Sequence, residues 1–286
     1  KYIHRENIIF SELHIKRHIK PVLKVFSFSV VTSIYLQLNT VLLGFLKNAL
    51  AVGYFAAATK VMQMLLKMSA CLGSVMMPRA SHLIAENKET EFNRLIQKSY
   101  DFTLAIALPM TIGLIFCAPS LITALCGVKF EHSILPSQII APIILMVAIS
   151  NIFGIQVLFP KGKINIVTLC CGIGAVADLM LNLCLIPLFS YIGTSIAYLG
   201  AEVATTVSMY FIGRRYIPII YFKKSHLTYV LGCIVMAFVL YGISLLQLPT
   251  LTILLLQGCC GVLAYFIILC ICKDEMLVQI LSRTKR

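Results

Sequence analysis

Residues 165–212, NIVTLCCGIGAVADLMLNLCLIPLFSYIGTSIAYLGAEVATTVSMYFI, contain two carboxylates and no Lys or Arg. A helix needs roughly 20 apolar residues to cross a hydrocarbon core of about 30 Å. The stretch therefore reads as two spans, 165–189 and 192–212. Irregular backbone is costly against lipid, so both are expected to be helical. Outward from this pair, further apolar runs of similar length lie at 21–44, 49–77, 100–126, 134–159, 226–246 and 249–272. The expected fold is an all-α, polytopic membrane helix bundle of about eight transmembrane helices.

Composition agrees. The chain is 59% hydrophobic and 12% charged over 286 residues, with a mean hydropathy of +0.93. A water-soluble domain of this size needs far less apolar surface. The net charge of +13 would suggest nucleic acid in a soluble protein, but here the cations sit in connectors. One alternate set holds twenty of them, in Lys1–Lys24, Arg79–Lys98, Lys161 with Lys163, Arg214–Lys224 and Lys273–Arg286; the other set holds only Lys47 and Lys129. Lys and Arg mark the cytoplasmic side of short loops, so both termini are expected there. Anionic lipid headgroups and topology explain the charge without a nucleic-acid partner.

The connectors divide the chain. Residues 1–20 form a basic lead-in and 21–212 a six-helix unit with polar residues inside its spans. Residues 213–225 (GRRYIPIIYFKKS) form a basic and aromatic interfacial linker. Residues 226–272 are an appended helix pair almost free of polar groups, and 273–286 a basic tail. Connector 78–99 is the longest and is expected to carry a short surface helix from about Thr90. Lys1 in place of an initiating Met reads as a fragment boundary.

Ionisable residues inside spans are where chemistry is sought. Lys60 and Lys67 lie seven residues apart, on nearly one helical face and about 10 Å apart along the axis. Gln63 and Ser74 fall near that stripe. Lys67 sits about 15 Å from the end of its span, near mid-bilayer. The two ammonium groups either line a hydrated cavity for an anionic substrate or pair with Asp178 and Glu202. Glu202 shares a polar face with Ser195, Tyr198, Thr205 and Thr206, and Asp178 shares one with Asn182. Either carboxylate is a candidate for ion or proton coupling, or a structural partner. Ser29, Thr32, Ser33, Gln37, Asn39 and Thr40 make the first span polar, lining a path or bonding to neighbouring helices. Pro109, Pro119 and Pro142 are positions where helices can bend.

No catalytic motif, cofactor loop or metal-ligand spacing is present, so transport or a structural role is favoured over catalysis. The eleven cysteines lie mainly in apolar runs and read as small packing residues.

The strings TSIYLQLNTVLLGFLKNALAVGYFAAATKVMQ (32–63), VMMPRASHL (75–83), SQIIAPIILMVAISNIFGIQVLFPKGK (137–163) and ADLMLNLCLIPLFSYIGTSIAYLGAEV (177–203) carry a resemblance. They resemble the second half of bacterial polysaccharide repeat-unit flippases, within the multidrug/oligosaccharidyl-lipid/polysaccharide exporter superfamily. The resemblance implies one six-helix lobe of a pseudo-symmetric two-lobe transporter, plus two appended helices, with the N-terminal lobe missing. It implies alternating access in the bacterial inner membrane and no cofactor. The substrate would be a lipid-linked oligosaccharide whose pyrophosphate or acidic sugars meet Lys60 and Lys67. Membrane lipids and polysaccharide polymerase machinery would be its other partners. Gln63, Gln37, Asn39, Tyr198 and Glu202 would complete the cavity. Lys60 matches the lysine of the family's VGYY-A-A-x-K pattern, Arg79 its PR pair and Glu202 its AE pair. Asn39 stands where the family commonly has Asp, and Asp178 where an uncharged residue is more usual. The alternatives are a cation-coupled drug exporter of the same superfamily, an envelope-assembly enzyme or a non-transporting scaffold.

Overall fold

The computed structural model describes residues 15–221, 223–246 and 248–272, and among these the architecture is entirely helical. In chain order the helices are α1 (Ile15–Leu46), α2 (Ala49–Ala85), α3 (Glu89–Cys126), α4 (Ile134–Ile140), α5 (Ile143–Asn151), α6 (Ile164–Gly213), α7 (Lys224–Ser244) and α8 (Thr250–Ile271). A 3₁₀ segment, Val128–Ser133, leads into α4, and a π-helical turn, Ile152–Leu158, follows α5. The first fourteen residues and the basic tail from residue 273 lie outside the described residues. The expectation that both termini are cytoplasmic lies there with them.

By length and apolarity, five described helices suffice to cross a membrane. A sixth is added if Val128–Ile140 and Ile143–Leu158, bent by 44°, make one broken span. This is fewer than the eight expected, because α6 counts once and α1 enters the test only as Gln37–Leu46.

Helix α6 cannot be one span. Its 50 residues would extend about 75 Å if straight, more than twice the hydrocarbon thickness. Ser190, at φ 52° and ψ −130°, reverses the chain. The contacts then step symmetrically away from it: Gly193 lies against Leu185, Gly200 against Leu181, and Gly174 against Thr205. The two arms form an antiparallel hairpin matching the intervals 165–189 and 192–212. A Cβ at Gly193 would run into the backbone carbonyl of Leu185, and one at Gly174 into the Thr205 hydroxyl. Small residues let helix backbones approach closely where no hydrophobic effect drives association.

Prolines in lipid-embedded helices leave the carbonyl four residues back without its helical donor. Pro109 frees Ala105, whose oxygen accepts from the Tyr265 hydroxyl of α8 at 2.8 Å. Pro119 frees Ile115, whose oxygen accepts from Gln138 Nε2 of α4 at 3.0 Å. With both carbonyls satisfied from neighbouring helices, α3 runs unbroken from Glu89 to Cys126, so neither proline breaks it. Pro142 does interrupt its helix, at the junction of α4 and α5.

Connector 78–99 holds no separate surface helix. Instead α2 continues through Pro78 to Ala85 and α3 begins at Glu89. Asn87 closes α2 in the left-handed region at φ 56°, with the Lys88 N–H donating to the Leu83 carbonyl at 3.0 Å. Asn tolerates that conformation through its short polar side chain. The extension is held by buried Ala80, Leu83, Phe92, Leu95 and Ile96, an apolar seam that the charged residues between them obscure in the sequence.

The buried side chains form two clusters. One joins α3 to α7 and α8 through Phe92, Tyr100, Tyr229, Met236 and Tyr265. The other joins α1, α2, α3, α4, α5 and α6 through Leu43, Phe55, Met62, Leu114, Ile140 and Tyr198. Gly193→Val should lower the thermal midpoint of the detergent-solubilised chain, at a cost of about 1–3 kcal/mol from overpacking. Gly172→Ala, where a Cβ meets open space, should leave it unchanged. Fluorescence-detected size exclusion after heating reads both.

Candidate functional site

The structure separates the eight candidate residues into an open face and a buried layer. Helix α2 packs through Ala51, Phe55, Ala58 and Met62, all buried. The opposite stripe, Lys60, Gln63, Met64, Lys67 and Met68, is exposed. Both lysines therefore share one face, as their spacing predicts, with Gln63 between them; the side chain of Ser74 lies outside the described residues. Gln37 on α1 is exposed too. Gly44 of α1 meets Val52 of α2, so at equal steps from that contact Gln37 reaches the depth of Thr59 and Lys60.

Asn39, Tyr198, Glu202 and Asp178 are instead packed between helices, with Asp178 fully buried and Asn39 at 2% exposure. They reach a substrate only if that packing opens. Asp178 is held by amides rather than lysine. Asn39 Nδ2 donates to its Oδ2 at 3.0 Å, and Asn182 Nδ2 to its Oδ1 at 3.0 Å. Asn182 Nδ2 also lies 2.9 Å from Asn39 Oδ1, closing a buried ring across α1 and the first arm of α6. Asn182 Oδ1 has no hydrogen-bond partner. The contacts Gly174–Thr205 and Leu181–Gly200 bracket Asp178 and Glu202 on facing arms, so both carboxylates lie at one depth, about 18 Å from the turn at Ser190.

The polar residues of the first span divide likewise. Ser29 and Ser33 are exposed, and Thr40 is half-buried; the side chain of Thr32 lies outside the described residues. A groove of about 680 Å³ between α1 and α6 has Ser27, Asn165 and Thr168 as its polar part and Leu169, Gly172, Ile173 and Val176 as its apolar part. Among the described residues no cluster of His, Cys, Asp or Glu has the geometry of a metal site.

A family described as "Polysaccharide biosynthesis protein" matches residues 2–135. A putative O-antigen transporter of Escherichia coli strain K12 is 25% identical over 199 residues, covering 68% of this chain and 47% of that protein. One from Shigella dysenteriae is 28% identical over 181 residues, covering 62% and 44%. The chain thus spans about half the length of these relatives. In structure it is similar to the lipid II flippase MurJ in an inward closed conformation, with a TM-score of 0.76, 17% identity and coverage of 92% of this chain and 56% of that one. An outward-facing MATE-family multidrug resistance transporter of the MOP superfamily gives a TM-score of 0.61 at 16% identity, covering 77% and 53%. The chain is thus similar in sequence to polysaccharide biosynthesis proteins and putative O-antigen transporters, and in fold to transporters of known structure.

Within that resemblance the two departures become one. Asn39, where the family commonly has Asp, bonds directly to Asp178, where an uncharged residue is more usual. The positions are 139 residues apart, so the pairing is invisible until the helices pack. The sequence reading also passed over Asp101 and His226, which stand at the edges of expected spans and bond to each other.

Asn39→Asp should destabilise the chain by facing two carboxylates, and adding Asp178→Asn should restore it. Thermal midpoints of the four variants should give a coupling of about 1–3 kcal/mol. Additive effects would remove the direct pairing.

Proposed function

We propose that the chain forms the C-terminal lobe and appended helix pair of a flippase for a lipid-linked oligosaccharide. It would act by alternating access in the bacterial inner membrane with both termini cytoplasmic. The exposure of Lys60 and Lys67 supports this most directly. An ammonium near mid-bilayer is expensive against lipid, so the α2 face bearing both must meet water or another protein surface. A second lobe across that face would enclose a cationic, amide-lined cavity. Two cations about 10 Å apart suit a pyrophosphate, which presents several charged oxygens over a similar length.

The relatives named as O-antigen transporters favour this substrate class over drugs. The polar part of the groove, Ser27, Asn165 and Thr168, extends the sugar path toward the basic end. The plain apolar faces of α7 and α8 would shelter the lipid tail. Asp178, Glu202 and the surrounding amides form the layer through which ion or proton coupling would act. Its exclusion from lipid by Asn39, Asn182 and Tyr198 suits a group that changes partner when the lobe moves.

Lys60→Gln with Lys67→Gln should abolish surface polysaccharide in cells where the full-length transporter is the sole flippase, while the protein reaches the membrane at normal abundance. Normal polysaccharide in that strain, read by glycan electrophoresis, would exclude the cationic cavity.

A further inference from the structure

The second arm of α6 has two unlike faces. One is packed into the bundle through Ala201, Glu202, Thr205 and Met209, all buried. On the other, Val203, Val207 and Phe211 are exposed. These three recur every four residues, so they form one ridge along the helix. The ridge runs into Arg214 and Arg215, in the 3₁₀ turn that ends the arm, and both arginines are exposed. A helical arm from 191 to 213 rises about 33 Å, close to the hydrocarbon thickness. The arginines therefore stand where hydrocarbon gives way to headgroups.

Several cations at this end already have partners inside the protein. Lys223 Nζ donates to Asp101 Oδ2 at 2.8 Å, and Lys88 pairs with Glu86 at 2.9 Å. Lys161 lies 3.8 Å from Glu89 and donates to the Tyr216 carbonyl at 3.2 Å. Lys163 stands over the Tyr216 ring. Among the described residues, the side chains of Arg214 and Arg215 make no ion pair, hydrogen bond or ring contact. The backbone that carries them is nonetheless held on both sides. Gly213 before them is buried in the bundle, and Lys161 holds Tyr216 after them. Farther on, Gln97 of α3 grips Ile220 twice, accepting from its N–H at 2.8 Å and donating to its carbonyl at 3.3 Å.

We propose that this strip binds one anionic phospholipid of the leaflet at the basic end. Its phosphate lies between Arg214 and Arg215, and an acyl chain runs along Phe211, Val207 and Val203. Guanidinium groups present planar forks of donors that match phosphate oxygens in pairs. The ridge meets the chain through van der Waals contact, since no hydrophobic effect operates inside the bilayer. Two cations without internal partners attract anionic headgroups over zwitterionic ones, so the lipid's charge is what the site selects. The fixed linker serves the same end, because a preorganised pair of arginines loses less freedom on binding than a mobile pair. The site depends on the basic end meeting a membrane surface, and not on the flipping reaction or on Lys60 and Lys67.

The test uses the full-length protein, delipidated in a neutral detergent and titrated with phosphatidylglycerol or phosphatidylcholine under native mass spectrometry. The native protein should hold phosphatidylglycerol roughly thirtyfold more tightly, as two cations at the headgroup imply. Arg214→Gln with Arg215→Gln should remove that preference. Arg214→Lys with Arg215→Lys keeps the charge, loses the fork and should lose most of it. Arg79→Gln, at an exposed arginine of the same end, should leave it intact. Inorganic phosphate at the lipid's concentration should not displace the lipid, because it has no chain to lie on the ridge. Equal binding of the two lipids by the native protein overturns the site before any variant is made. A double Lys variant with the full preference, or an Arg79→Gln variant without it, reduces the site to diffuse surface charge and overturns it too. Displacement by inorganic phosphate overturns the assignment to a lipid.

Discussion

Inside hydrocarbon there is no water to complete a backbone hydrogen bond, and that single constraint organises this chain. Every span is helical because a helix bonds its own peptide groups. Where the sequence breaks the ladder, another helix repairs it. Tyr265 reaches the carbonyl released by Pro109, and Gln138 the one released by Pro119. These bonds do two jobs. They keep α3 continuous over 38 residues, and they fix which helices are its neighbours, since each freed carbonyl has one donor at one depth. Helices α7 and α8 are thereby tied to α3 near its middle as well as at its basic end.

A second consequence of the missing solvent is that polar side chains sort by what they can reach. Asp178 has two amide donors within 3.0 Å and is buried. Lys60 and Lys67 lie on an exposed stripe of α2. A lysine facing open lipid and a carboxylate without donors would both be expensive. Their different placement separates a packed interior, which holds Asp178, from an open face, which bears the two lysines. The chain spans about half the length of the relatives it matches.

Most of the helical architecture was legible because it rests on local rules. Apolar run lengths located the two arms of α6, together with α7 and α8. The angle per residue put Lys60 and Lys67 on one side. What stayed hidden was long-range or compensated. The bonds between Asn39 and Asp178, and between Asp101 and His226, join residues more than a hundred positions apart. Prolines in α3 read as bends because their remedy lies on other helices. The extensions of α2 and α3 read as a loop because Glu, Lys and Asn interrupt the buried seam from Ala80 to Ile96. In the first two cases the deciding partner was outside any window a periodicity can scan.

The turn at Ser190 also bears on how the protein is made. Two arms of about 25 residues are joined by one reversed residue, Ser190, with no charged residue next to it in sequence, and their glycine contacts bring the two backbones close together. Neither arm is a natural unit for insertion: the first carries Asp178, the second Glu202, and each hides its carboxylate against the other or against α1. The chain is thus built for the two arms to leave the insertion machinery together, as a preformed helical hairpin, once α1 is already waiting in the bilayer. Order of synthesis becomes part of the fold's stability, because the partner that shields Asp178 is a helix translated before it.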